Sequence, residues 1–302
     1  MTTHANVAAI ILTFNEEKHI ARCLESALQV ATTVFVVDSF STDRTVAIAE
    51  GFGARVWQHE FTNHAQQLAW ALRTLPIDTE WVMRVDADEL ITSKLARNLL
   101  HGVINDPPDV NGFLVCRYVR FMGGLIRHGN FPQWHLRVWR HGQAEIEQRW
   151  MDEHMVLKTG KAERLEGEFI DDSMNSLSWW TDKHNSYASR EAIDLLNRKY
   201  RFLPLAGQTG ALSRQARHKR WLKDNLYARL PLGLRALMYF LHRMIFQFGF
   251  LDGRAGLAFH FLQGFWYRFL VDAKVWEVER RMRDENIECV EAIRNVLGVN
   301  PT

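Results

Sequence analysis

Three acidic residues stand within four positions at the end of an apolar stretch of the chain. Asp86, Asp88 and Glu89 close the sequence WVMRVDADE, which begins at Trp81. Like charges this close together repel each other, so the cluster needs a compensating partner. Two carboxylates at positions i and i+2 can bind one Mg²⁺ or Mn²⁺ and leave coordination sites for phosphate oxygens. The pattern therefore predicts a divalent metal site with Asp86 and Asp88 as ligands.

The same acidic residues have a second interpretation that needs no metal. Asp88 or Glu89 would cap the helix that follows, and Asp86 would simply be solvated. An isolated Asp-x-Asp does not distinguish the two interpretations. The choice depends on the elements that position these residues.

Short runs of β-branched and aromatic residues alternate with stretches of helical periodicity in the first part of the chain. Strands are predicted at 7–14, 34–39, 54–61 and 81–88. This alternation is typical of a doubly wound α/β sheet with mostly parallel strands and right-handed crossovers. Ligands of such sheets bind at the carboxyl ends of the strands. The polar residues at these ends are Thr13, Asn15, Asp38, Asp86 and Asp88.

The pattern changes after a predicted helix at 93–104. Alternating strands at 112–123 and 133–142 predict an antiparallel extension of the sheet. From Ser176 onward the chain is predicted to be almost entirely helical. Pro204 and Gly207 interrupt this part, so we expect a catalytic domain over 1–200 and a helical region over 201–302.

Composition excludes several classes of protein. With 302 residues and 47% hydrophobic content, the chain can bury a large core without covalent staples. Its three cysteines, Cys23, Cys116 and Cys289, form no Cys-x-x-Cys pair, which argues against a disulfide framework or a thiolate zinc site. The amino terminus lacks the basic start of a signal peptide, so we expect a cytoplasmic protein.

Three motifs in order, TFNEE, VVDSFSTDRT and RVDADE, resemble the nucleotide-sugar domain of the family 2 glycosyltransferases, which have the GT-A fold. The resemblance covers roughly residues 1–190. It implies that Thr13, Asn15 and Glu16 line the nucleotide pocket and that Asp38 contacts the base. It also implies that Asp86 and Asp88 lie at the ribose and at the metal-bound diphosphate.

Elementary chemistry supports these implied roles. Free N–H groups at the start of a helix suit a phosphate, and a carboxylate at a strand end can accept the N–H of a base. For Asn15 and Asp43, helix capping is an equally good interpretation.

The segments RHGNFPQWHLRVWR and WMDEH extend the resemblance to bacterial enzymes that build lipopolysaccharide cores and exopolysaccharide repeat units. In that subgroup a Glu shortly after the Arg-rich strand is the expected catalytic base, and it maps onto Glu153. An inverting transfer needs such a base to take the proton from the acceptor hydroxyl. The neighbouring Asp152, which stands where related sequences have His, is the other candidate. Arg137 is assigned to the nucleotide-sugar site.

A later predicted helix carries a further set of candidate residues. Lys183, Tyr187 and Arg190 share one face at spacings of four and three, and would cover the donor diphosphate. His184 is a possible further metal ligand. The alternative is a solvated helix face with Trp179 and Trp180 packed inward.

The segment from Arg198 to Arg254 has twelve Lys or Arg residues and two acids. Arg235 and Arg243 share one side of a predicted helix whose other side is apolar. A membrane span would bury these charges, so we expect an amphipathic helix lying in the membrane interface. The alternative is a hairpin that packs on the catalytic domain or on a second copy. A continuous apolar stripe argues against a nucleic-acid groove.

These observations predict a metal-dependent, inverting glycosyltransferase with Mn²⁺ or Mg²⁺. It would move a sugar from a nucleoside-diphosphate sugar donor to a lipid-linked saccharide acceptor in bacterial cell-surface polysaccharide biosynthesis. It would bind the membrane surface peripherally, at the cytoplasmic face of the inner membrane, and no nucleic acid. One alternative is a polyprenyl-phosphate sugar synthase, with a cationic pocket for the acceptor phosphate from Arg127, His128, Arg137 and Arg140. Another is a non-catalytic membrane-bound homologue.

Overall fold

The computed structural model of the protein describes residues 6–105, 108–129, 131–146, 154–203 and 233–301. Contacts divide the chain into two compact units, Met1–Met174 and Asn175–Thr302. The sequence predicted the boundary near residue 200 instead. The boundary lies earlier because the long helix α5 (Leu177–Tyr200) belongs to the second unit. Its buried residues pack against the C-terminal helices.

The first unit begins with alternating strands and helices, as the sequence predicts. In chain order these are β1 (Val7–Thr13), α1 (Ile20–Ala27), β2 (Thr33–Asp38), α2 (Thr45–Gly51), β3 (Arg55–Gln58), α3 (His64–Thr74) and β4 (Trp81–Asp86). The second half of the unit adds more strands. They are β5 (Glu89–Ile91), then α4 (Ser93–Ile104), β6 (Val110–Phe121), β7 (Gly124–Ile126), β8 (Gln133–Arg140), β9 (Ala144–Ile146), β10 (Met155–Leu157) and β11 (Lys161–Asp171).

Most of these strands join in one mixed sheet with the order β3-β2-β1-β4-β8-β6-β11-β5. Strands β1 to β4 pair in parallel, and β8 continues the sheet antiparallel to β4. Strand β6 is antiparallel to β8 and parallel to β11. The predicted antiparallel extension is therefore present, while β11, which the sequence reading missed, returns to parallel pairing. Strands β9 and β10 form a separate ribbon.

The far end of the sheet curls back toward its centre. Strand β5 follows β4 after only two residues, Ala87 and Asp88, yet it pairs with β11 at the other end of the strand order. The three Cα–Cα steps from Asp86 to Glu89 reach only about 10 Å when fully extended. Strands β8, β6 and β11 must therefore bend around the turn Asp86–Glu89, which we call the acidic turn. Side chains from all three strands can then point at it.

Helices cover both faces of the parallel part of the sheet. In β1, Val7, Ala9 and Ile11 pack against α1 and α4, whereas Ala8 and Ile10 face α3. Every one of these residues is fully buried, which explains why β1 is a continuous apolar run without alternation.

One glycine lets α4 approach the sheet. Gly167 lies at an irregularity in the pairing of β11 with β6 and has a φ of 106°. A Cβ atom at this position would overlap the backbone of Leu95 at the start of α4. Both the left-handed conformation and the close contact require glycine here.

The second unit is helical in its described parts. After α5 come α6 (Leu234–Leu241), a π-helical turn (His242–Phe246), a 3₁₀ turn (Gly249–Asp252) and α7 (Gly253–Phe259). A π-helical stretch (His260–Trp266) then leads into α8 (Tyr267–Glu285) and α9 (Cys289–Leu297). Ile193 and Leu196 of α5 pack with Val278 of α8 and Ile293 of α9.

Charged residues lie inside this unit and large apolar residues lie outside. Arg235 forms a two-pronged ion pair with Asp272 of α8, and Arg243 is 4% exposed. Arg235 and Arg243, which the sequence places on the polar side of an amphipathic helix, thus contact partners within the helical unit. The exposed apolar residues include Leu237, Met238, Leu241, Ile245, Phe246, Phe248, Phe250, Leu251, Leu257 and Phe261, which we call the apolar rim. No helix in the described part of the chain is long and apolar enough to span a bilayer.

Candidate active site

The carboxyl ends of three parallel strands bring the predicted site residues to one edge of the sheet. Thr13 at the end of β1 lies opposite Asp38 at the end of β2. On the other side of β1, Leu12 lies opposite Asp86 at the end of β4. The sequence predicted this shared edge from the strand pattern alone. Whether the residues bind a nucleotide stays a prediction.

Asp38 is fully buried and holds the loop that follows β2. Its carboxylate accepts hydrogen bonds from Thr13 Oγ1 at 2.8 Å, from Ser41 Oγ at 2.5 Å and from the Ser41 backbone N at 2.8 Å. An ionised carboxylate has about four acceptor sites, so three donors leave room for one more. Asp38 therefore positions this loop through the hydrogen bonds that it accepts.

Asn15 connects the loops after β1 and β2. Its backbone N donates to Ser41 Oγ at 2.8 Å, and its Oδ1 accepts from the Thr42 backbone N at 2.9 Å. The residue has a left-handed φ of 55°, which Asn tolerates better than most residues. Asn15 therefore does not cap α1. Asp43 precedes the N-cap of α2, Arg44, and its Oδ1 accepts from the backbone N of Thr45, the first residue of the helix.

Glu16 is tied to the end of β11 through a buried histidine. Glu16 Oε2 lies 2.5 Å from His19 Nδ1, and His19 Nε2 accepts from the Met174 backbone N at 2.9 Å. Because Nε2 accepts, Nδ1 carries the proton and donates to Glu16. His19 was not singled out from the sequence, since a histidine at the start of a helix carries no local signal of this role.

Glu89 is the buried residue that connects the acidic turn to two arginines. Its side chain is fully buried, and Oε2 accepts from the Asp86 backbone N at 3.0 Å. Oε1 accepts from Arg137 Nη2 at 2.6 Å and from Arg117 Nε at 2.9 Å. Neither Asp88 nor Glu89 caps α4, so that alternative is wrong. The cap is Thr92, whose hydroxyl accepts from the Leu95 backbone N.

Asp86 is held in its charged form by neighbouring arginines. Its side chain is 31% exposed and contacts Arg84 Nε at 3.1 Å and Arg137 Nη2 at 3.4 Å. Burial opposes ionisation, but the guanidinium groups of Arg84, Arg137 and Arg117 outweigh it and hold the pKa of Asp86 well below its usual range. Asp86 is therefore a carboxylate at any physiological pH.

Asp88 differs from its neighbours because no described residue donates a hydrogen bond to its carboxylate. Its backbone carbonyl accepts from the Asp172 backbone N at 2.9 Å, which fixes the turn. Asp172 in turn pairs with Arg22 of α1 at 2.8 Å. The turn is thus rigid, while the Asp88 side chain is left available for a ligand.

The acidic turn suits a hard divalent cation that also binds a phosphate. No group of three or more His, Cys, Asp or Glu side chains is placed to hold a metal within the described ranges. Two carboxylate ligands, Asp86 and Asp88, would leave the remaining positions to phosphate oxygens and water, as is common for Mg²⁺. This arrangement fits a metal that arrives with its nucleotide.

Arg137 reaches the acidic turn from a β-bulge. Gly112, Phe113 and Leu114 of β6 lie opposite Trp139, Val138 and Leu136 of β8, so Arg137 is the extra residue. A bulge re-aims a side chain in this way. Its Nη2 contacts the acidic turn, but its Nη1 is buried without a hydrogen-bond partner. The second nitrogen can therefore donate to an anionic ligand.

Arg117 and Asp171 complete the charged cluster. Arg117 bridges Glu89 and Asp171, and its side chain is 25% exposed. Burial, together with the nearby carboxylates, raises the pKa of Asp171 to about 7 in spite of the arginine. Asp171 therefore shares the proton balance of this cluster near neutral pH.

Two of the four residues predicted for an acceptor-phosphate pocket bind different carboxylates. Arg140 pairs with Glu80 and lies over the Trp81 ring at 4.7 Å, at the amino end of β4. Arg137 lies near the opposite end of that strand, beside Asp86. The two guanidinium groups are thus directed to different partners, which gives a shared phosphate pocket no support.

Three predicted site residues belong to the second unit. Lys183 lies over the Trp179 ring at 4.6 Å, and Arg190 lies 6.0 Å from the Tyr187 ring centre. Trp179 is 39% exposed, so the alternative in which it packs inward is wrong. His184 stacks on Trp180 and donates from Nδ1 to its carbonyl, and burial lowers the pKa of His184 to about 4. Their contact with a donor or metal stays a prediction.

The two candidates for the catalytic base lie outside the described residues. Asp152 and Glu153 fall in the range 147–153. The next residue, His154, is exposed, and its ring lies 6.2 Å from the ring of His135 on β8.

Comparison with known proteins gives a family and two kinds of relative. The sequence model described as Glycosyl transferase family 2 matches residues 8–172. An uncharacterised glycosyltransferase of Rickettsia conorii is 39% identical over 89 residues, 30% of this chain and 31% of that protein. The lipopolysaccharide core biosynthesis glycosyltransferase LpsC of Rhizobium meliloti is 28% identical over 147 residues, 47% of this chain and 53% of that protein. The chain thus spans about a third to a half of these relatives.

A solved structure matches nearly the whole chain. The mannosyltransferase PcManGT from Pyrobaculum calidifontis, in complex with GDP-Man and Mn²⁺, has a TM-score of 0.51 and 16% identity. The match covers 91% of this chain and 87% of that one. At this identity the likeness shows the fold.

Proposed function

Because the chain belongs to glycosyl transferase family 2 and has a mixed α/β fold of the GT-A kind, we propose that it is a metal-dependent, inverting glycosyltransferase. It moves a sugar from a nucleoside-diphosphate donor to a lipid-linked saccharide. The product belongs to a bacterial cell-surface polysaccharide, either lipopolysaccharide or exopolysaccharide. The name of LpsC, a lipopolysaccharide core enzyme, supports this choice of acceptor.

The proposal depends on two groups at one edge of the sheet that can each bind a ligand. They are the carboxylate of Asp88 and the Nη1 nitrogen of Arg137. No described residue donates a hydrogen bond to the Asp88 carboxylate, and Arg137 Nη1 is buried without a hydrogen-bond partner. A metal-bound diphosphate presents a cation to the first group and anionic oxygens to the second. Thr13 and Asp38 lie at the same edge and supply the base side of the site.

Asp86 and Asp88 would hold Mn²⁺ or Mg²⁺. A bound metal would supply charge stabilisation for the departing nucleoside diphosphate. Arg137 donates to the diphosphate oxygens and stabilises the charge that they gain as the glycosidic bond breaks. Glu89 keeps Arg137 in place, and the arginines keep Asp86 ionised. In the second unit, Lys183 and Arg190 would cover the diphosphate, with His184 as a further metal contact.

Glu153 takes the proton from the acceptor hydroxyl, and Asp152 is the alternative base. Attack from the side opposite the nucleotide inverts the anomeric carbon. Removing the proton during the attack contributes about 10² to 10⁴ in rate.

The acceptor is bound at the cytoplasmic face of the inner membrane, where the apolar rim lies on the lipid surface. Support comes from its position: its largest members cluster at the connection between α6 and α7, where Phe246 is 72% exposed. Burying one such side chain in lipid gains about 1.5–3 kcal/mol. Several exposed aromatic rings close together in the chain suit insertion between lipid headgroups.

The alternative acceptor, polyprenyl phosphate itself, has less support. It needs a compact cationic pocket, and Arg137 and Arg140 lie near opposite ends of β4. We therefore place the lipid-linked saccharide first.

Nucleotide release from a panel of UDP-sugars and GDP-sugars, with purified protein and Mn²⁺, tests the proposal. Transfer to extracted lipid-linked saccharide should depend on one donor and on the metal. The proposal fails if no donor is hydrolysed or transferred and if Asp88→Ala changes neither nucleotide binding nor its metal dependence.

A further inference from the structure

Strand β8 points a second polar side chain in the same direction as Arg137. His135 pairs with Val115 of β6, whose side chain belongs to the buried layer that also contains Phe169. Arg137 lies over the Phe169 ring at 5.6 Å, so both β8 side chains face the concave side of the curled sheet. On β6, Arg117 lies two residues from Val115 and faces the same side. His135 is thus a neighbour of the charged cluster.

His135 has a buried nitrogen without a partner. Its Nε2 is inaccessible to solvent and makes no hydrogen bond. Burial, followed by the positive charges of Arg137 and Arg117, lowers the pKa of His135 to about 3. The imidazole is therefore neutral at physiological pH, with one nitrogen that donates and one that accepts. Leaving such a group unsatisfied is costly, which points to a ligand atom in the functional state.

The kind of ligand follows from the charge of each neighbour. Arg137 Nη1 is a cationic donor and suits an anionic oxygen. A neutral imidazole offers a phosphate no charge, but it can both donate to and accept from a hydroxyl group. The two unpartnered nitrogens therefore suit two parts of one molecule, an anionic part and a hydroxyl-bearing part. A sugar joined to a diphosphate has both.

We propose that His135 binds a hydroxyl group of a sugar and so determines which sugar the site accepts. The inference rests on the proposed function and names a residue that contacts the sugar. The hydroxyl belongs to the donor sugar or to the saccharide acceptor, and both sources offer the same chemistry. The ring of His154 lies 6.2 Å from that of His135, so this position has a second imidazole nearby.

The test compares His135→Leu with His135→Gln, which keeps hydrogen-bonding capacity. The leucine variant should lose at least about tenfold in kcat/KM, and glutamine should recover part of it. Binding of UDP or GDP alone, which lacks the sugar, should be unchanged in both variants. His141→Leu, at an exposed turn after the same strand, is the matched control and should behave as wild type.

Substrates that lack single hydroxyl groups separate the two sources. If His135 binds the donor sugar, one deoxy-sugar donor should have a lower kcat/KM than the complete donor with the wild type. With His135→Leu, the two donors should have the same kcat/KM. A change confined to the KM of the acceptor, with donor hydrolysis unchanged, assigns the hydroxyl to the acceptor. Wild-type activity in His135→Leu would overturn this inference but not the proposed function. A loss of UDP or GDP binding as large as the loss of kcat/KM would also overturn it, because it indicates a structural role. Absence of transfer by the wild type would overturn the proposed function and this inference with it.

Discussion

Glu89 and Arg137 form an ion pair of 2.6 Å in which the glutamate is fully buried and the arginine is 8% exposed. The pair joins the acidic turn to strand β8. Two charges in such a place depend on each other, because either one alone would be left unsolvated.

Glu89→Ala should destabilise the first unit by about 3–5 kcal/mol, the usual effect of breaking a buried pair from one side. Arg117 and Arg137 would both lose a partner, and the Asp86 backbone N would lose its acceptor. Urea unfolding followed by fluorescence measures the effect. Glu25→Ala, at an exposed position of α1, is the control and should stay within about 0.5 kcal/mol of wild type. An equal effect of the two substitutions would contradict the role of Glu89.

Asp88→Asn should remove the stabilisation that Mn²⁺ adds to nucleotide binding while leaving the fold intact. The Asp88 carboxylate makes no hydrogen bond among the described residues, so its neutralisation costs little. Thermal shift with UDP and GDP, with and without Mn²⁺, measures this directly. The exposed Asp78→Asn serves as control. A shift that stays metal-dependent in Asp88→Asn would argue against a metal at the acidic turn.

Glu153→Gln should lower kcat by about 10² to 10⁴ with little change in donor KM, because a general base acts in the chemical step. Asp152→Asn should have a small effect. The reverse result would assign the base to Asp152. Steady-state rates with saturating donor distinguish the two.

The second unit should become less stable as the pH falls from about 6.5 toward the pKa of His184, about 4. A histidine whose pKa is lowered on folding favours the native state above its unfolded pKa. This contribution is lost as the unfolded chain takes up the proton. Urea midpoints across this pH range should fall for wild type, and His184→Phe, which keeps an aromatic ring against Trp180, should fall less. Parallel curves for the two proteins would refute the assignment.

Replacing two phenylalanines of the apolar rim should weaken lipid binding. Phe246→Ser with Phe250→Ser removes two exposed rings, each contributing about 1.5–3 kcal/mol in lipid, so sedimentation with phosphatidylglycerol vesicles should fall at least about tenfold. Phe61→Ser, an exposed phenylalanine of the first unit, is the control. If wild type fails to bind vesicles and light scattering finds a dimer that the double variant loses, a second copy covers the rim instead.

The sequence predicts the parts of this protein that are specified locally. The first four strands and their helices follow from periodicity within short windows. Strand β11 was missed because Lys161, Glu163 and Glu166 give it the composition of a surface loop, and only its pairing with β6 makes it a strand. The acidic turn was identified, but the part of Glu89 was not, because both of its arginines come from strands that lie far along the chain.

In the helical region, too, the sequence does not determine which side of a helix faces inward. The sequence correctly separates Arg235 from the apolar side of α6, which contains Leu237, Met238 and Leu241. Which side faces inward depends on Asp272, 37 residues after Arg235, and a single helix contains no information about such a partner.

Strand β5 has a consequence for the order of assembly. The turn that would hold the cation is made early in synthesis, but β5 can pair only with β11, which is made last in this unit. Until then β5 has no pairing strand, although Arg84, Arg117 and Arg137 have already been made. A ribosome-bound chain that stops before Lys161 should therefore be unable to bind its donor. The ability to bind it would arise in a single late step, when β11 pairs with β5.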